Sequence, residues 1–550
     1  MKSTTVESLL SKTVLVLCVV LCVSFLEARS QGTPVNLGGS MQLSSEAYRI
    51  SGGVSRRPAN FFRAILRPTV TIYDQIVLPF EVYYTTVDRG FRQPFNQFGV
   101  SPRLFGWLTL HGGYFSTQVS ELTFGDSRVL GGGVELAPGS FRFAALYGRV
   151  QHAVQPDTAN GIRGEYKRRV WAGKIGYDNG TRTSFVLNIM KAKDDLSSIE
   201  NSHVGLAPKE NLVASLSFGF PIGSSFHLAA EAAASAFTND SRSDTLQDVA
   251  SGFHWLFTPK TSSQLDGAAR ASLSMRFSQD FSMSLTSRWV GPGFVTLGYP
   301  QAENDVLDLS VAPNLRVLNS KLSLRASLGF QWNNLRENRF ATTRRVIGSV
   351  NAGYQHTSRL GVDLFYSNYG IRELRQNDTL RVHSISQSGS ITPRVIFDGL
   401  GGINTLMCSY AVQDFNDANR FNEGRNNYRT QMTLVSWTLS LPSSFTTSTN
   451  LNYNKTRTPL VSTKVYDAGI TLGYQFIEKT LSGSITLGWA LVESTKRDRR
   501  LVGGANCSYT PGGAGRFTMT IRSNAYEADS DVVNSSYQDI HGSLRYAYVF

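Results

Sequence analysis

The sequence predicts an all-β fold: a single large antiparallel transmembrane β-barrel of about 26 strands, with about 24 as the alternative, short periplasmic turns and longer extracellular loops. Three observations predict it. Apolar and polar residues alternate along most of the chain, tight turns alternate with long polar loops, and the composition suits neither a soluble protein nor a helical membrane protein. Only 17% of the 550 residues are charged, while 11% are aromatic and 49 are glycine. A typical soluble chain carries about 25% charged residues. The mean hydropathy of −0.16 excludes a bundle of transmembrane helices, each of which needs an apolar run of about 20 residues. The aromatic and aliphatic content excludes disorder.

The chain opens with a segment set apart from the fold. Lys2 and Lys12 precede an apolar run over residues 13–25, and the small residues Ala28 and Ser30 follow. A basic start, a short apolar run and a small-residue cleavage site predict a secretory signal peptide over residues 1–30, with the barrel domain over 31–550. The run is too short for a spanning anchor. Neither Cys18 nor Cys22 follows a small residue, which disfavours a lipoprotein signal. Removal of Lys2, Lys12 and Arg29 with Glu7 and Glu27 lowers the formal charge of +13 by one. Cys408 and Cys507 then remain, and two distant cysteines make no disulfide framework.

In a strand, successive side chains face opposite ways, so one face collects alternate residues. Leu481, Gly483, Ile485, Leu487, Trp489 and Leu491 alternate with Ser482, Ser484, Thr486, Gly488 and Ala490. Leu322, Leu324, Ala326, Leu328, Phe330 and Trp332 alternate with Ser323, Arg325, Ser327, Gly329 and Gln331. The pattern recurs over 212–220, 271–277, 281–285, 307–317, 468–476 and 517–521. Hairpin turns are signalled at Asp178-Asn179-Gly180, Pro138-Gly139-Ser140, Ile222-Gly223-Ser224, Asn319-Ser320, Thr357-Ser358, Ser443-Ser444, Glu478-Lys479 and Gly512-Gly513. Longer polar loops lie at 87–99, 153–165, 194–210, 239–266 and 291–305.

A soluble sandwich buries its apolar face in a core, whereas a membrane barrel turns that face to lipid and keeps the polar face for a lumen. The rhythm is too long for one sandwich. Aromatic residues at strand ends (Tyr83, Tyr84, Tyr114, Trp289, Trp332, Tyr354, Tyr366, Trp437, Tyr474, Phe476) fit interfacial girdles. The last residues place Leu544, Tyr546, Tyr548 and Phe550 in alternation with Arg545, Ala547 and Val549. This ending resembles the C-terminal signature of bacterial outer-membrane barrels. The resemblance implies that the outer-membrane assembly machinery reads those four residues, and that the protein sits among lipid and lipopolysaccharide in the outer membrane of a Gram-negative bacterium. A second block, Gln93-Pro94-Phe95-Asn96-Gln97-Phe98-Gly99-Val100-Ser101-Pro102, continues through Trp107-Leu108-Thr109-Leu110-His111-Gly112-Gly113-Tyr114 and Gly131-Gly132-Gly133-Val134-Glu135-Leu136-Ala137-Pro138-Gly139. It is similar to large, poorly characterised Bacteroidetes-type outer-membrane barrels, a group that offers no activity to transfer.

A first strand near 41–50, about twelve hairpins and a last strand near 538–550 give the even count that bacterial barrels show, with both termini periplasmic. Such a barrel is about 50 Å across and, left open, would abolish the membrane's sieving. Residues 31–40 are too short for a plug domain. Inward-folded loops (239–266 being the longest candidate), a plug or periplasmic partner protein, and a flattened cross-section are the expected means of closure.

If apolar positions face lipid, then Arg63, Arg67, Arg142, Arg270, Arg276, Arg288, Arg316, Arg325, Arg394, Arg522 and Arg545 point inward, with fewer carboxylates: Glu81, Glu135, Glu231, Asp308 and Asp363. An arginine at mid-depth in lipid costs about 2–4 kcal/mol, which supports this facing. A basic lumen favours anionic solutes, acidic polysaccharide, lipopolysaccharide phosphates or an acidic partner; the alternative is that the arginines only pair with lumen carboxylates. Arginines spread over strands do not predict nucleic-acid binding. The eight histidines show no metal-ligand spacing, and no serine elbow appears, so no catalytic, metal or cofactor residue is assigned. Gly473–Thr480 has Glu478 where a phosphate loop needs its second glycine, and it joins two strands rather than a strand and a helix. Gly131-Gly132-Gly133 reads as relief of crowding or a bend in the wall. The expected function is a channel, transport or secretion conduit. The alternative is a structural scaffold in an outer-membrane complex, and a hydrolase comes third.

Overall fold

The computed structural model describes residues 35–550, apart from residues 56, 87–95, 126, 158–160, 181–182, 201–204, 247–255, 300, 340, 375–381, 418, 420–421, 423, 478–479 and 530–535. The leader over 1–30, Gln93-Pro94-Phe95, the Glu478-Lys479 turn and parts of the long loops lie outside the described residues.

Twenty-seven strand segments form one sheet that closes on itself. Two of them, Gln97–Val100 and Arg103–Leu104, share one place in the wall, both lying between Ile76–Thr85 and Leu108–Thr117. Ser101 and Pro102 interrupt them, since proline donates no ladder hydrogen bond. The barrel is therefore antiparallel with 26 strand positions. Closure joins Val35–Ser51 to Tyr537–Val549, in register from Ser40 opposite Val549 to Ser51 opposite Gln538. The first strand begins earlier than position 41, since Val35 to Gly39 pair with Ile72 to Pro68. Closure leaves no strand edge to face lipid, where each unpaired backbone group costs several kcal/mol.

Alternation decides which residues look outward. On neighbouring strands Leu481–Glu493 and Arg497–Tyr509, Ile485, Leu487 and Leu501 are each more than half exposed, as are Phe185 and Leu544 elsewhere. Such exposure is stable only against lipid, so this apolar belt makes the chain a transmembrane barrel of the outer-membrane type. Turns at one end are short. Leu400 and Gly401, at φ 54° and 77°, make a two-residue turn between Gly399 and Gly402, the mirror-image geometry that matches strand twist. The girdle expectation needs one correction: Tyr83 is not on the lipid side, because it is in register with Ile65 on the face carrying Arg63 and Arg67.

One stretch of wall departs from a smooth cylinder. Gly99, Gly113, Gly131 and Gly148 stand opposite one another on neighbouring strand positions. A Cβ on them would lie 1.9, 2.4, 2.0 and 2.6 Å from backbone oxygens. Only glycine allows so sharp a fold. Its size shows in His111 and Phe115, whose rings stack with centroids 4.7 Å apart. On a straight strand, residues four apart are separated by about 13 Å.

Candidate functional site

The concave side of the wall is fixed by packing. Phe115, Val129, Leu146, Val170, Met190, Val213, Phe237, Ala268, Val290 and Val306 come from ten successive strands, yet they form one buried cluster around Val119, Leu122, Phe124, Phe294 and Leu297. Two short segments can touch ten consecutive strands only from inside the curve. Residues 118–125 and 291–299 therefore pack within the lumen, over the wall folded in at the glycine seam.

Polar contacts hold these segments. Phe124 bridges Gly298 in parallel, and Thr296 Oγ1 donates to the Thr123 carbonyl at 2.5 Å. Asn211, fully buried, donates to Ser235 Oγ at 2.9 Å and to the carbonyls of Ala236 and Val295 at 3.1 and 3.0 Å. Its oxygen accepts from Leu297 N–H at 2.9 Å. The Asp266 carboxylate accepts from Gly293 N–H at 2.7 Å. A Cβ at Gly298 would come within 2.7 Å of the Thr123 oxygen, so glycine is required for the two segments to meet.

Of the loop 239–266, the longest candidate for an inward fold, residues 247–255 lie outside the described residues. Its described residues form a small ladder, with Thr245 opposite Lys260. Asp240 is bonded by Arg242 at 2.8 and 2.9 Å, and that guanidinium holds the Asp240 carboxyl below the usual carboxylate range. Residues 118–125 and 291–299 carry Val119, Leu122, Phe124, Phe294 and Leu297, which gain by burial.

Near the fold, Ser101 Oγ lies 2.9 Å from His111 Nδ1, and His111 Nε2 lies 3.3 Å from Glu135 Oε1. The same oxygen accepts from Thr117 Oγ1 at 2.6 Å. Residues in this order can support nucleophilic chemistry. Here Phe115 covers the ring, and Thr117 sits on the far side of the glycine seam, so the group ties the folded-in wall to its base.

The eleven singled-out arginines all occupy the alternate set that carries the buried cluster or continues it in register. Four have carboxylate partners. Arg67 meets Glu81 at 3.1 Å, Arg142 meets Asp178 at 3.7 Å, Arg288 meets Asp308 at 2.6 Å, and Arg270 pairs with Glu121 of the inward segment. Glu231, opposite Arg270, accepts from Ser215 Oγ at 2.6 Å. Arg63 lies 5.0 Å from the Phe61 ring. Arg276, Arg316, Arg325, Arg394, Arg522 and Arg545 have no carboxylate partner among the described residues, and all but Arg522, at mid-strand, sit in the turn-side half of their strands. Near them a pocket of about 480 Å³ is lined by His227, Ser274, Arg276, Ser282 and Asn314. Sequence reasoning missed further inward carboxylates, among them Glu46, Asp467, Asp498 and Asp539, which register places on the lumen face. Leu544, Tyr546 and Tyr548 face outward with Phe517 and Met519, and Tyr548 stacks on Phe550 at 5.6 Å. No cluster of metal-ligating side chains occurs among the described residues.

No family model matches the chain, and no curated protein matches it. Among solved structures it is similar to the P pilus usher PapC translocation pore, at 10% identity and TM-score 0.39, covering 94% of this chain and 99% of that one. It is also similar to the siderophore receptor PirA from Pseudomonas aeruginosa, at 12% identity and TM-score 0.36, covering 94% and 81%. A third similarity is to OccAB2 from Acinetobacter baumannii, at 10% identity and TM-score 0.30, covering 68% and 98%. At these scores the likeness carries no functional information.

Proposed function

We propose that the protein is an outer-membrane conduit for anionic solutes, narrowed from one side by the folded-in wall and its two inward segments. The observation that carries this reading is the set of seven lumen arginines, Arg63 and the six named with it, without carboxylate partners among the described residues. Guanidinium groups left free in a confined channel attract anions and repel cations. Of the paired arginines, Arg270 meets an inward segment and Arg288 lies at the loop end of its strand, where charge serves structure, while Arg67 and Arg142 are paired nearer the turns. A periplasmic partner protein completes the closure in this reading, and lipopolysaccharide surrounds the rim. The stacked outward row Leu544, Tyr546, Tyr548 and Phe550 is the strand that assembly machinery engages. Residues 1–30 act as the export signal, and the blocks around Ser101-Pro102 and Gly131–Gly133 express kinship with Bacteroidetes-type barrels.

Liposome swelling tests the conduit. With purified barrel in the bilayer, gluconate should enter faster than sorbitol, and sorbitol faster than glucosamine. Equal rates, or glucosamine fastest, would contradict the proposal. No swelling together with a stoichiometric co-purifying partner would establish a scaffold instead. The Ser101–His111–Glu135 array is the one observation favouring a hydrolase. A fluorophosphonate probe that labels the native chain but not Ser101→Ala would establish that reading.

A further inference from the structure

Beside the barrel's closure, on the lumen face, lies a pocket of about 560 Å³ lined by Glu46, Tyr48, Arg57, Pro58, Phe61, Arg63, Tyr83, Thr85 and His541. Register brings its parts together from distant sequence: Glu46 stands opposite Phe61, Tyr48 opposite His541, and Arg63 opposite Thr85. Arg57 is delivered by the loop between Val35–Ser51 and Asn60–Ile72. The arginines rest on ring faces, Arg57 at 6.0 Å from the Tyr48 centroid and Arg63 at 5.0 Å from that of Phe61. Tyr83 is flanked at 5.8 Å by both Arg67 and Arg128, which are committed to Glu81. The pocket's own carboxylate, Glu46, lies 3.2 Å from His541 Nε2. Arg57 and Arg63 have no carboxylate partner among the described residues.

From this we infer a binding site for aromatic carboxylates, an anionic head meeting Arg57 and Arg63 while a flat apolar body lies against Phe61, Tyr83 and Pro58. Guanidinium groups held flat by aromatic rings offer a planar fork suited to carboxylate, and cavities of a few hundred Å³ with mainly apolar walls take small organic ligands. The site deepens the conduit reading by naming a solute class, and it rests on the lumen facing that reading uses.

Equilibrium dialysis of the full barrel in detergent tests it, with 2-naphthoate as probe and 2-naphthylmethanol as its neutral counterpart. Naphthoate should be retained at least about tenfold more tightly than the alcohol. Arg57→Gln/Arg63→Gln should lose about that factor for naphthoate and leave the alcohol unchanged, Phe61→Leu should weaken both, and Arg522→Gln should alter neither. Equal retention of the two probes by the native chain would overturn the site, whatever the variants do. So would native-like naphthoate retention in the double variant, or an equal loss in Arg522→Gln. Anion-selective swelling without naphthoate retention would sink this site and spare the conduit; retention without swelling would do the reverse.

Discussion

Asn211 shows how much one buried side chain can organise. Its amide serves its neighbours Ser235 and Ala236, and it grips a segment 84 positions away at Val295. Asn211→Ala would leave the Leu297 N–H short of a partner and the Val295 carbonyl held by Ser235 alone, at a local cost of about 1–3 kcal/mol. The expected outcome is a barrel of unchanged strand content with faster hydrogen exchange at 294–298 and larger conductance. Unchanged exchange would remove Asn211 from its assigned role. Nothing near Asn211 in sequence announces this, because an asparagine on a strand face is ordinary until a remote loop arrives above it. Trp437 differs. Its place among strand-end aromatics marked it as interfacial, and the structure adds that its Nε1 donates to Asn404 Oδ1 at 3.0 Å. Asn404 in turn donates to the Gly399 carbonyl at 2.7 Å, so Trp437 steadies a turn as well as facing the interface. Trp437→Phe should keep the girdle and loosen that turn, lowering the urea midpoint of unfolding by an amount equivalent to about 1 kcal/mol.

Among the elements, the seam of Gly99, Gly113, Gly131 and Gly148 gives the wall its fold. A valine at Gly131 would force a Cβ toward the Tyr147 oxygen, now 2.0 Å from that position. Gly131→Val should destabilise the barrel by at least about 1–3 kcal/mol, read from urea unfolding. Gly298→Leu should leave the seam intact, release residues 118–125 from 291–299, and raise conductance without moving the unfolding midpoint of the wall. The triple glycine was visible in the sequence as a bend. Its partners Gly99, Gly113 and Gly148 were not, since strand pairing alone brings them into line. The inward segments did leave a signal: Val119, Leu122 and Phe124 stand in an otherwise polar connection, as do Phe294 and Leu297.

For the whole molecule, closure and facing were legible because both rest on period-two alternation repeated over the chain, from Leu322–Asn333 to Leu481–Glu493. The distribution of charge within the lumen was legible only in part. That Arg276 and Arg325 would lack carboxylates while Arg288 and Arg67 found them depends on heights fixed by register. The central claim is that the unpaired turn-side arginines set the lumen's preference. Its most direct test is the reversal potential of the barrel in a planar bilayer under a potassium chloride gradient, native chain against Arg276→Glu/Arg325→Glu/Arg394→Glu. The account predicts chloride selectivity in the native chain and a change toward potassium in the variant, with similar open conductance. Cation selectivity in the native chain, or a reversal potential that the three substitutions leave unmoved, would contradict it.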